Sequence, residues 1–428
     1  MNKVACFLAL VLFSCASAKK QQEAISTNEI DRILKTLSSD DMKGRASFTD
    51  GAEKAATFIE AEFAKIGLQP MAGQSSYRQN FSVSRIQTSS TNVTINNQVI
   101  ENNRIAVLAD QPSLDWNTNV EVVQINAGED LFSKYGEIIK SNRHVLVLVD
   151  SSFAGEFGKL RDYLAQGRIV DQLNEKLAAV FVLGGQQAGT YTVKIENKNE
   201  KLPLNNIVGI IPGRSRANEL VIFSAHYDHI GILPAVNGDS IANGADDDAS
   251  GTTAVISLAQ HFKRLNNNER TLLFVAFTAE ELGMVGSKYF SKQLNADSVT
   301  AMFNIEMIGK ESRFGKNAAF ITGFERSDMG KIMQQNLQGT PFTIHPDPYT
   351  EQRLFYRSDN ATLAALGVPA HTISTSQIDV DKYYHTVDDE LETLNAENLK
   401  SAIQAIALSA KTIVAGMQTP ARVEKLVE

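Results

Sequence analysis

Hydrophobic positions follow two different periods along this chain. Near the N-terminus they recur every three to four residues. Ile30, Ile33, Leu34 and Leu37 mark one face of a helix predicted over 28–37. Ala52, Ala55, Ala56, Ile59, Phe63 and Ile66 mark a second over 51–66, with Gly67 placed to end it. From Tyr77 to Ala106 the pattern changes to short alternating strands, such as Thr91–Ile95. Between about 104 and 198 two unbroken apolar runs, His144–Val149 and Ala178–Gly184, flank a helical stretch expected over 156–175. A polar, charged return segment follows at Glu196–Lys201.

From Leu204 onward apolar strands alternate with helices. The strands are Leu220–Ala225, Thr271–Phe277, Ala301–Ile305 and Val368–Ile373. The helices are Thr252–Phe262, Gly283–Leu294, Ala361–Leu366 and a long final one over 395–415. Unbroken apolar strands separated by helices imply a mixed α/β fold with a mostly parallel sheet, covered by helices on both faces. The expected organisation is a leader over 1–18, a first part of the main domain over 19–103, an inserted smaller α/β domain over 104–198, and the main part over 199–428.

Composition changes little in this picture. The chain has 428 residues, 43% hydrophobic and 21% charged, with net charge -8. That is ordinary globular composition, and no basic patch suggests nucleic acid. The first eighteen residues add a location. Lys3 precedes the apolar stretch Val4–Phe13, which is too short to span a bilayer. Ala16-Ser17-Ala18 fits cleavage before Lys19, while Leu12-Phe13-Ser14-Cys15 loosely resembles a lipobox that would lipidate Cys15. Either route exports the chain, as a periplasmic, secreted or lipid-anchored protein without a transmembrane helix. Cys6 and Cys15 are its two cysteines, so the mature chain forms no internal disulfide.

The candidate chemistry lies at the ends of the strands. His226-Tyr227-Asp228-His229 follows the first, Glu280-Glu281 the second and Glu306 the third. In open parallel sheets such ends line one crevice. Asp246-Asp247-Asp248 opens the helix after the first strand, and Tyr384-His385 lies in a late loop. A run of three carboxylates serves as a helix-capping acidic turn, or it serves a cation whose charge offsets their repulsion. Zinc takes imidazole nitrogen and carboxylate oxygen at about 2.0–2.2 Å, and paired ions need a shared carboxylate. His226, Asp247, Glu281, Glu306 and His385 form such a set. Neighbouring side chains diverge in extended backbone, so Glu280 stays free beside them as a general base. Asp246 and Asp248 are ligands by proximity alone. His229 lines the cleft or touches the site, and His144, His261, His345 and His371 read as ordinary surface or core histidines.

Four segments carry a resemblance. They are Ala225–His229, Gly244–Gly251, Phe277–Gly283 and Tyr384–Thr386, supported by Met42–Arg45, Ser358–Asn360 and Gly367–Pro369. They resemble the signatures of the co-catalytic two-zinc peptidases, which include bacterial leucyl-type aminopeptidases and glutamate carboxypeptidase II. The resemblance implies a zinc-exopeptidase fold, peptide substrates and two zinc ions per chain. It implies His226 and Glu306 on one ion, Glu281 and His385 on the other, and Asp247 bridging. Glu280 would act as base toward a metal-bridging water, and Asp228 would orient His226. It also implies a cis peptide bond between Asp247 and Asp248. The family usually has Asp where Glu306 stands, so the strand must sit slightly farther back or the coordination must differ. Tyr356 is a candidate for stabilising an oxyanion. The inserted segment resembles a protease-associated domain in position.

The expected function is a zinc-dependent exopeptidase, an aminopeptidase foremost. Its rivals are a carboxypeptidase of the same fold, a one-zinc glutaminyl cyclase and a non-catalytic binding module. Side-chain preference and oligomeric state leave no mark in the sequence.

Overall fold

The computed structural model describes residues 25–185 and 187–426. The leader over 1–18 and the lipid anchor at Cys15 lie outside the described residues. The chain divides into two compact units, one of Met1–Phe81 with Leu204–Glu428 and one of Ser82–Pro203. No helix among the described residues is long and apolar enough to cross a membrane.

The main sheet of the first unit includes seven strands. They are β1 (Tyr191–Ile211, of which the last part lies here), β2 (Arg216–His226), β3 (Arg270–Phe277), β4 (Val299–Ile305), β5 (Ala318–Ile321), β6 (Thr343–Pro346) and β7 (Ala370–Ser374). Their order is β6-β5-β7-β4-β2-β3-β1. The four central strands β7, β4, β2 and β3 run parallel, while β1 lies antiparallel to β3 and β5 antiparallel to β7. His226 pairs with Phe277, and Ser224 with Asn304, so β2, β3 and β4 end together on one edge. Strand alternation sorts the side chains. Phe223, Phe274 and Phe303 stack on one face, under helices α1 (Thr27–Leu37), α2 (Asp50–Ile66), α3 (Gly251–Leu265) and α7 (Ala396–Ser409). Ile222, Val275 and Met302 point to the other face, with Phe290 of α4 (Val285–Gln293) and Leu363 of α6 (Asn360–Ala365). Each face is thus dry, which is why the strands read as unbroken apolar runs.

Local chemistry sets the helix ends. Ser26 Oγ accepts from the Glu29 amide at the start of α1, and Gly67, at φ 76°, closes α2 through the Phe63 and Ala64 carbonyls. The long final helix breaks at Ala410 into α7 and a short turn, Lys411–Val414. There Asn336 Nδ2 donates to the Ser409 carbonyl at 2.7 Å, which gives the break a partner that no sequence period announces.

The second unit has a four-stranded sheet, ordered Ile105–Ala109, Ala178–Leu183, His144–Val149, Glu121–Ile125, with helices Leu131–Ser141 and Ala154–Ala165. The helix expected over 156–175 stops at Ala165, because Gly167 turns the chain at φ 86° into a strand, Arg168–Val170. The unit starts earlier and ends later than the 104–198 span expected. The reason is packing: Val93 and Ile95 lie in the same core as Leu146, Val180 and Trp116. Periodicity marks their strand as alternating but does not say which core its apolar face joins.

One core histidine supplies a test of packing. His371 in β7 is fully buried. Its Nδ1–H donates to the Thr322 carbonyl, and its Nε2 accepts the Ser327 hydroxyl, both at 2.7 Å. That is a neutral ring, and burial pushes it down to about 4 from an ordinary 6.5. The unfolded chain then binds more protons between those values. Stability is full above pH 6.5 and declines as pH falls toward 4, by roughly 3 kcal/mol in all. Buried carboxyls elsewhere, Glu306 among them, titrate over the same range in the opposite sense, so the slope is read as the difference in thermal unfolding between the metal-free wild type and His371→Gln. The variant should lack this contribution, and a slope unchanged in that variant would show that it arises elsewhere.

Candidate metal centre

The carboxyl edge of the central strands gathers the donors. His226 ends β2, with its ring almost wholly buried. Its Nδ1–H donates to the Asp228 carbonyl at 3.0 Å, which turns Nε2 toward Asp247 Oδ1 at 3.2 Å. Asp247 lies between Gly244 and α3, and the bond from Asp247 to Asp248 is cis. Its second oxygen, Oδ2, lies 3.3 Å from His385 Nε2. One carboxylate therefore faces two imidazoles on opposite sides. Glu281 Oε2 lies 3.2 Å from the same His385 nitrogen. Glu306, at the end of β4, groups with His226 and Asp247, with all three donor atoms within 4.8 Å of one another.

A second group of that kind is His229, Asp247 and Glu281. His229 is wholly buried, and its Nδ1 lies 2.9 Å from Glu281 Oε1. The sequence reading kept His229 in reserve, and the structure brings it into the cluster. A Cβ at Gly244, which sits at φ 56°, would strike the Asp247 carbonyl and the His229 ring, so a glycine lets that ring seat.

These donors fit a zinc site. His226 Nε2, His229 Nε2 and Glu306 Oε2 are buried atoms without a hydrogen-bond partner among the described residues. Such atoms are costly in a folded interior unless something binds them. Nitrogen and carboxylate oxygen around one point are what zinc takes. The electrostatics agree. Burial works against charge on His226, yet Asp247, Asp248 and Glu280 together pull its ring well above the ordinary range. Hydrogen bonds to the carboxylates of Asp247 and Glu281 raise His385 to about 10. Burial opposes the ionised Asp247, but His229, His226 and His385 hold its carboxyl well below the usual range. Burial pushes Glu306 up to about 7, and Glu280 well above its ordinary value. The edge is a field made for positive charge.

The flanking residues of the triplet serve position. Asp246 Oδ1 accepts from the Gly309 amide at 2.8 Å, and Oδ2 lies 3.4 Å from Lys310 Nζ. Asp248 accepts from the amides of Gly251, Met307 and His226, so it caps α3 and ties together the ends of β2 and β4. Asp389 belongs to the same network. It is buried and accepts from the amides of Asp246 and Asp247. Arg45 is also buried, and its guanidinium donates to the carbonyls of Leu37, Tyr227, Asn243, Gly244 and Asp247. Its place in Met42–Arg45 was the one sequence signal for that hub.

Asp228 and Tyr356 take particular places. Asp228 orients His226 through its main-chain oxygen, while its carboxylate lies 3.8 Å from Nδ1. That carboxylate accepts instead from the amides of Glu280, at 3.1 Å, and Glu281, at 3.4 Å, and so holds the loop that carries both glutamates. Tyr356 packs on Phe355 and under Arg326, against the apolar face of the sheet, and does not line the cleft beside Glu306. Tyr384 does, with its ring stacked on His385 at 3.9 Å. The two tyrosines differ by which side of a loop faces the sheet, which sequence does not show.

Fold and donors together define a class: a mixed α/β protein with a candidate metal centre at the carboxyl edge of its central parallel strands, sharing one aspartate between two groups of ligands. Residues 206–410 match the model of Peptidase family M28. It is 27% identical over 222 residues to a probable leucine aminopeptidase of Trichophyton verrucosum, covering 50% of this chain and 58% of that protein. It is 30% identical over 211 residues to leucine aminopeptidase 1 of Penicillium rubens, covering 45% and 52%. The chain thus spans little more than half the length of these relatives. Among solved structures it resembles an aminopeptidase from Aneurinibacillus sp. strain AM-1, at 21% identity and TM-score 0.55, over 95% of this chain and 96% of that one. It also resembles the zinc aminopeptidase BSAP from Bacillus subtilis, at 15% identity and TM-score 0.53, over 91% and 95%. At such identities the likeness is one of fold.

Proposed function

We propose that this protein is a zinc-dependent exopeptidase, an aminopeptidase in its action, and that it holds two zinc ions. The observation that carries the reading is Asp247, with one oxygen toward His226 and the other toward His385. His226 and Glu306 would complete one site, Glu281 and His385 the other. When bound, zinc supplies Lewis acidity to the scissile carbonyl and to the attacking water. The chain's own residues do the rest. Glu280 takes a proton from the water and returns it to the leaving amine. Asp228 fixes the Glu280 amide, which positions that carboxylate, and burial raises its proton affinity, as a general base needs. The Tyr384 ring, stacked on His385, closes one wall of the cleft.

Zinc titration followed by turnover of aminoacyl-nitroanilides tests the proposal. Two ions per chain and hydrolysis lost to a chelator are expected. At free zinc one hundred times the dissociation constant, each ion adds about 3 kcal/mol, so chelation should also lower the melting temperature. Activity that survives chelation sinks the reading. One zinc per chain, with cyclisation of N-terminal glutamine, would assign the cyclase chemistry instead. Cleavage confined to N-blocked peptides with a free C-terminus would make it a carboxypeptidase.

A further inference from the structure

Beside Glu306 opens a small cleft, with about 60 Å³ of room inside it, walled by Phe320, Leu354 and Tyr384 among others. Two of its polar lining residues have bonding capacity that the protein leaves unused. Ser376 is 3% exposed, and its Oγ has no hydrogen-bond partner among the described residues. Neighbouring hydroxyls on the same wall are engaged: Ser374 Oγ donates to the Met307 carbonyl and Thr372 Oγ1 to Asn360. A buried hydroxyl left alone in a pocket wall is costly unless a ligand meets it. The second residue is Arg357, the one cation among the described residues lining the cleft. It is exposed at the rim. Its only hydrogen bond there is a long one, 3.4 Å, to Gln352, and it makes no ion pair among the described residues.

We propose that this cleft binds a carboxylate of the substrate, with the Arg357 guanidinium as its charge partner at the rim and the Ser376 hydroxyl as a donor inside. The apolar wall takes the stem of the group, and the guanidinium meets its end in a charge-assisted hydrogen bond. A peptide carries that group in two places, an acidic side chain next to the scissile bond and a free C-terminus of a short peptide. The inference rests on the peptidase reading above, because bound zinc must offset the charge of Glu306 at the inner end.

The zinc-loaded protein should be assayed on the nitroanilides of glutamate, glutamine and leucine, and on Leu-Gly against Leu-Gly-amide. A charged group that the site is built to hold is expected to favour one acidic member over its neutral isostere by roughly tenfold in kcat/KM, mainly through KM. A glutamate preference identifies the side chain as the source, and a Leu-Gly preference identifies the C-terminus. In R357M the ratio should fall to near one, and R357K should restore part of it. S376A should lower kcat/KM for the acidic member severalfold. Equal rates within both pairs in the wild type, or a ratio that R357M leaves intact, would overturn the proposal. A wild type that cleaves none of the five substrates would fail the peptidase reading instead.

Discussion

Glu280→Gln is expected to lower kcat by about 10²–10⁴-fold while both zinc ions and the melting temperature are kept. The amide has the shape of the carboxylate but cannot take a proton. Its main-chain N–H would still donate to Asp228, so the loop stays in place. Glu280 is half-buried beside His226 and Glu306 yet falls outside both groups of candidate ligands. Steady-state kinetics and metal analysis on the same preparation separate the roles. Unchanged turnover would remove Glu280 from the mechanism, and a lost ion would make it a ligand.

Asp247→Asn should act on the metals themselves. The aspartate uses both oxygens, Oδ1 toward His226 and Oδ2 toward His385. Asparagine keeps one oxygen, turns an NH₂ toward one of the imidazoles and removes the shared negative charge. Zinc affinity should fall by more than the 10–100-fold typical of an outer-shell partner, with fewer than two ions retained and hydrolysis lost in step. Asp246→Asn is the comparison. Asp246 accepts from Gly309 and pairs with Lys310, so that variant should lose stability before it loses metal. Equal metal loss in the two variants would mean that the triplet has been read one residue out of place.

Much of this site was legible because sheets enforce an address. Apolar runs locate strands, and a parallel sheet delivers their ends to one edge, so His226, Glu280, Glu281 and Glu306 converge whatever their separation along the chain. Asp247 and His385 lie on loops, and there the motifs carried the argument rather than the period. What stayed hidden is loop geometry. Ala279, Met284 and His385 all adopt left-handed backbone without being glycine. Such turns decide which side chain faces in, and no periodicity encodes them.

The sequence by itself determined the strands, the amphipathic helices, the class of the fold and the list of donors, because each depends on neighbours within a few residues. Tertiary structure alone decided four things. It turned each oxygen of Asp247 to its own histidine. It buried His229 against Glu281, and it chose Tyr384 over Tyr356 as the wall of the cleft. It also laid Arg45 under the carbonyls of the metal loop, across about two hundred residues of chain. Each is a contact between segments far apart in sequence, fixed by packing and by the need to satisfy buried polar groups.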